Sequence, residues 1–158
     1  MINDITRHQD DNLGGINSFR FIPVEGIEEI PSAVNSVIHY EVAVKTGYRW
    51  YDGYGTEGSM GFKDDHDDGD HGGFHNKSFV AKVPKERAEV IETLNSAMNR
   101  KFVLDITYNN GTRILAGTVK EPMRLVSKYD SKTSVPEYNG YDLLFSGQGV
   151  KRSPVYDV

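Results

Sequence analysis

"KFVLDITYNNGTRILAGTV", Lys101–Val119, decides the fold class. Phe102, Leu104 and Ile106 alternate with Val103, Asp105 and Thr107, the two-residue period of a strand. Asn109, Asn110 and Gly111 tolerate positive φ, as a tight hairpin turn requires. Ile114 and Leu115 lead the return strand. The stretch predicts a β-hairpin, and therefore antiparallel pairing.

Further strands are predicted on both sides. In "INSFRFIPV" (16–24), Phe19 and Phe21 share one face, and Pro23 places the end at an edge or bend. In "SVIHYEVAVK" (36–45), Ile38, Tyr40, Val42 and Val44 share a face, which predicts one continuous strand. "FHNKSFVAKVP" (74–84) sets Phe74, Ser78, Val80 and Lys82 against His75, Phe79, Ala81 and Val83. "MRLVSKY" (123–129) and "YDLLFSG" (141–147) add two more, joined by turn residues in "DSKTSVPEYNG" (130–140). One helix is predicted over about 84–99: Pro84 suits a first turn, and Ala88, Ile91, Leu94 and Met98 form one apolar stripe. The expected fold is mainly β (α+β): a small antiparallel β-sandwich or partly closed barrel with one packed helix.

The 158 residues suit a single domain, 1–158. Residues 1–16 read as an N-terminal arm, 148–158 as an extended C-terminal tail, and 46–77 as a Gly-rich insertion, either a loop or an extended hairpin. The absence of cysteine excludes thiolate chemistry and disulfides. No apolar run approaches a membrane span, and "MINDITRHQDDNLGG" lacks an apolar signal core. Net charge is −5, of which Lys63–His75, "KDDHDDGDHGGFH", carries −4 through five aspartates and one lysine. The remainder is nearly neutral, unlike a general nucleic-acid binder.

That acidic stretch holds candidate metal ligands Asp64, His66, Asp68, Asp70, His71 and His75. Read as an EF-hand loop from Asp64, it has His66 at position 3 and His75 at position 12, where oxygen ligands are required, so that motif fails. Gly72-Gly73 opposes a helix that would stack His71 on His75. A solvated, self-repelling acidic loop is the reading preferred over a metal site. In "GYRWYDGYG", residues Tyr48, Arg49, Trp50, Tyr51 and Tyr54 are candidates for a protein interface or a glycan platform. No nucleophile-elbow, P-loop or dinucleotide motif occurs. No catalytic residue is assigned and no cofactor is implied.

"SFVAKVPKERAEVIETLNSAMNRKFVLDITYNNGTRILAGTVKEPMRL" followed by "YNGYDLLFSGQGVKRSPVY", Ser78–Tyr156, resembles small virion proteins of tailed bacteriophages, especially those of Bacteroidetes hosts and the crAss-like group. The resemblance covers about half the chain. It implies a non-enzymatic structural protein, assembled as a ring or tube in the tail or head–tail neck, with copies of itself and other tail or neck proteins as partners. It implies location in the virion, after assembly in the host cytoplasm. An acidic loop facing a ring's lumen would keep passing DNA from sticking. The alternative is a ligand-binding module, using the aromatic stretch 48–54 for a glycan or the Asp/His stretch 64–75 for a metal.

Overall fold

The computed structural model describes residues 14–134 and 139–158; most of the expected arm at 1–16 lies outside the described residues. In chain order the elements are β1 (Ile16–Pro23), β2 (Ile27–Glu29), β3 (Val37–Ile38), β4 (Ala43–Val44), β5 (Tyr51–Gly53), β6 (Gly61–Gly69), β7 (Gly72–Pro84), α1 (Ala88–Ala97), β8 (Lys101–Tyr108), β9 (Arg113–Ala116), β10 (Met123–Asp130), β11 (Gly140–Gly149) and β12 (Val155–Tyr156). The fold is mainly β with one helix. One curled sheet makes a half-barrel, and β2 with β4 makes a second, small sheet.

The hairpin β8–β9 is the hub. One edge of β8 pairs with β1, from Pro23↔Phe102 to Ile16↔Tyr108. The other edge takes β9 at Leu104↔Ala116 and then β10 at Met123↔Phe102. The chain leaves the sheet between β9 and β10, and the sheet divides there. One wing continues through β9, β12 and β3, the other through β10, β11, β7 and β6. The second wing curls back over β1.

Both faces of β8 are therefore buried. Phe102, Leu104 and Ile106 enter the main core with Phe19, Phe79, Met123 and Phe145. Val103 enters a second core with Ile22, Ile38, Leu115 and Tyr156, covered by the 24–50 segment. Asp105 also faces that side and is only 2% exposed. It accepts from Arg20 Nη2 at 2.5 Å and Arg113 Nη2 at 2.6 Å, so two guanidiniums balance one buried carboxylate.

Three expectations are corrected. The 36–45 strand is broken: Ile38 pairs toward β12 and Val44 toward β2, while Tyr40, placed on the buried face by periodicity, is 75% exposed. The Tyr156 hydroxyl accepts the Val42 N–H and replaces a ladder bond there. The tail is not a free end: Gln148 and Gly149 belong to β11, and β12 inserts between β3 and β9. The helix is shorter than 84–99, because Pro84 ends β7 opposite Gly140 and Lys85 turns at φ +61°. Its packed stripe is Val90, Leu94 and Ala97, while Ile91 and Met98 face outward. The stripes 90/94/97 and 91/94/98 share Leu94, so spacing alone did not separate them.

Phe145→Ala should lower stability by about 3–5 kcal/mol in urea unfolding, because it empties the centre of the main core. Leu94→Ala should cost about 1–2 kcal/mol and Ile91→Ala less than about 0.5 kcal/mol. The reverse order would restore the stripe read from periodicity.

Candidate functional site

Of the two forms expected for the insertion, its second half takes the extended hairpin, as the strand pair β6–β7, and not the loop. Residues paired across β6 and β7 on the inner face run Phe62–Phe79, Asp64–Lys77, His66–His75 and Asp68–Gly73. One face thus passes from apolar core to acidic tip along a single hairpin.

At its base Phe79 is fully buried and Phe62 packs on the main core. One step outward Lys77 is buried, 6% exposed. Burial pushes its ammonium below the usual lysine range, while Asp64 and Glu121 act in the opposite sense. Its neighbour on β11 is Gly147, and Gly149 lies opposite His75. A Cβ on Gly149 would stand 2.6 Å from Glu121 Oε2 and 3.1 Å from Lys77 Nζ; one on Gly147 would stand 2.7 Å from the Pro122 carbonyl oxygen. Glycine at both positions lets the turn before β10 bring the Glu121 carboxylate over the hairpin. Burial, and then Asp64, raise the Tyr108 hydroxyl above the ordinary tyrosine range.

Asp64 fastens the C-terminal segment to this base. Its side chain is 7% exposed. Oδ2 accepts the Ser153 N–H at 2.8 Å, Oδ1 lies 3.0 Å from His75 Nδ1, and its carbonyl oxygen accepts Arg152 Nη1 at 2.6 Å. Farther out, the His66 and His75 rings lie 5.3 Å apart and His66 Nε2 is 3.4 Å from Asp68 Oδ1. Gly73 leaves room for that imidazole: a Cβ there would be 2.5 Å from His66 Nε2.

Pairing with β11 stops at Gly149↔His75. Beyond it, among the described residues, 67–74 pair only with each other, around a turn at Asp70-His71 closed by Gly72 at φ +122°. Asp65, Asp67, Asp68 and Asp70 are all exposed.

The six candidate metal ligands therefore separate. Asp64 and His75 are committed to each other and to the tail; His66 stands beside them with Asp68; Asp70 and His71 occupy the exposed turn. Among the described residues, no group of three or more His, Asp or Glu side chains is placed to hold a metal ion. Among the described residues, no hydroxyl is hydrogen-bonded to the Asp64–His75 pair. Ser153 sits on the carboxylate side, and its buried hydroxyl has no hydrogen-bond partner. The pair joins β6 to β7 and fastens the C-terminal segment to them.

The aromatic candidates separate as well. Trp50 packs into the second core with the Arg20 guanidinium 5.2 Å from its ring centre. Tyr51 stacks on Phe21, and Arg49 lies over Tyr51. Tyr48 covers Gly26, and both it and Tyr54 are exposed. Tyr54 lines a largely apolar cavity of about 220 Å³ beneath α1, with Phe19, Phe21, Leu94, Leu143 and Phe145. Sequence reasoning missed Lys77, Glu121, Arg152 and Ser153. Lys77 had a signal, since it shares the strand parity of His75 and Phe79.

No family model matches the chain, and no curated protein or solved structure matches it significantly.

Asp64→Asn should cost about 1.5–3 kcal/mol by weakening charge-assisted bonds, with faster amide exchange over 150–156. Asp67→Asn, Asp68→Asn and Asp70→Asn should each change stability by less than about 0.5 kcal/mol. For Lys77 the folded pKa lies below the unfolded one. Between those two values the unfolded chain holds more protons, so this group makes stability rise with pH. Lys77→Met should therefore be more stable at about pH 7 and show a smaller rise toward about pH 10 in urea unfolding.

Proposed function

We propose that the chain is a non-enzymatic structural subunit that assembles with copies of itself, as a ring or tube in the tail or head–tail neck of a phage virion. The observation that carries this reading is the hairpin β6–β7. Its base is held by the main core and by the Asp64 contacts; its tip leaves the sheet and pairs with no third strand among the described residues. A strand pair ordered this firmly and then left bare suits a contact with another molecule. The resemblance carried by Ser78–Tyr156 supplies the virion setting and the other tail or neck proteins as partners.

A ligand-binding module is the second reading, and the cavity beneath α1 is the observation that favours it. A small apolar solute entering there should raise the melting temperature with saturation, which the assembly reading does not require.

Mass photometry and negative-stain microscopy of the purified protein test the proposal. Closed rings or tubes, growing with concentration, are expected. A strict monomer at high concentration would overturn it.

A further inference from the structure

Three residues of the outer sheet face form a direct cross-strand row: Val80 on β7, Leu144 on β11 and Val126 on β10. They are 44%, 37% and 48% exposed, although each lies in the middle of a paired strand. The row on one side is Lys82–Asp142–Lys128, and the row on the other ends in Lys63 and Arg124 around Ser78 and Ser146. Four cations and one carboxylate therefore frame an apolar strip. Across three strands spaced about 4.8 Å apart, the strip is about 10 Å wide, which suits a two-stranded hairpin with its side chains.

The same chain carries a complementary shape and charge. The tip of β6–β7 is a two-stranded projection bearing Asp67, Asp68 and Asp70, all exposed. It cannot fold back on its own strip. Tip and strip lie on one continuous strand, and Gly72 to Val80 spans about 25 Å along β7.

We propose that the acidic hairpin tip of one copy docks on the Val80–Leu144–Val126 strip of a second copy, its aspartates against Lys82, Lys128, Lys63 and Arg124. This rests on the assembly reading above and names the two surfaces that meet. Tip and strip are different surfaces, so the contact is head-to-tail and each copy offers one of each. Repetition closes a ring where the rotation allows and builds a tube where it does not. The aspartates then face a neighbour's cations and not the lumen that the sequence suggested. Cations around an apolar centre give the contact orientation and a dependence on salt.

Two variants test it: a tip variant, Asp67→Lys with Asp68→Lys and Asp70→Lys, and a face variant, Lys82→Glu with Lys128→Glu. Circular dichroism melting checks that each keeps the fold. If a reversal variant unfolds, Asp67→Asn with Asp68→Asn and Asp70→Asn, or Lys82→Gln with Lys128→Gln, is read in its place. In sedimentation velocity each folded variant should need about tenfold or more protein to assemble than the wild type. Mixed in equal amounts, the charge-reversed variants should assemble beyond a dimer, because the basic tip of one meets the acidic strip of the other as the intact tip meets the intact strip; the neutral variants, which lack that second contact, should give a one-to-one dimer and nothing larger. If the wild type assembles and both variants assemble equally well, the proposed contact is wrong and the assembly reading stands. If the wild type never assembles, both fall.

Discussion

The packing of four phenylalanines across the half-barrel is what the rest of the structure depends on. Phe19 of β1 lies 4.6 Å from Phe79 of β7, ring centre to ring centre, and Phe145 of β11 lies 6.0 Å from Phe102 of β8. These contacts join the wing that carries the hairpin to the hub strand. Their absence would leave the wings linked mainly by the short pairing of Met123 and Arg124 with β8. Aromatic rings suit this task, since each buries a large area and edge-to-face contacts add specificity. Closing the core also fixes the direction in which β7 leaves it.

The hairpin trades stability for presentation as it leaves that core. Phe62 and Phe79 contribute apolar burial; Lys77, one step on, is buried at an electrostatic cost and is offset by Asp64 and Glu121 nearby. Glycines at 147 and 149 are what allow those groups to come so close. Toward the tip from His75, no third strand among the described residues supports the ladder, and aspartates become frequent. Charge on an unpaired edge discourages indiscriminate strand addition while leaving a charged surface able to recognise one partner. The Asp105 triad plays a different part, neutralising a buried carboxylate between the second core and the C-terminal strand.

Local patterns were legible in the sequence wherever they agreed with the final pairing. The 101–116 hairpin, the Phe19–Phe21 face and the alternation from His75 to Val83 follow from a two-residue period, and all three are present. The 36–45 segment misled because its alternation is satisfied by two different partners, β12 and β2, with an exposed Tyr40 between them. The tail misled because β12 is two residues long and its strand character comes entirely from neighbours distant in sequence. Five aspartates read as a solvated loop; tertiary contacts buried one of them, Asp64, left Asp65 exposed beside the β7–β11 pairing, and placed three at an exposed tip. Composition reports the charge of a segment, whereas strand register decides which charge is paired.

In the proposed assembly the hairpin tip touches another copy of the chain. The protein has no cysteine, so an introduced pair reports cleanly. With Asp70→Cys and Leu144→Cys in one chain, mild oxidation of the assembled protein should give a ladder of disulfide-linked dimers, trimers and larger species on a non-reducing gel. Each single-cysteine variant should give none of the species beyond a dimer. Assemblies that form normally yet stay uncrosslinked in the double variant would contradict the account.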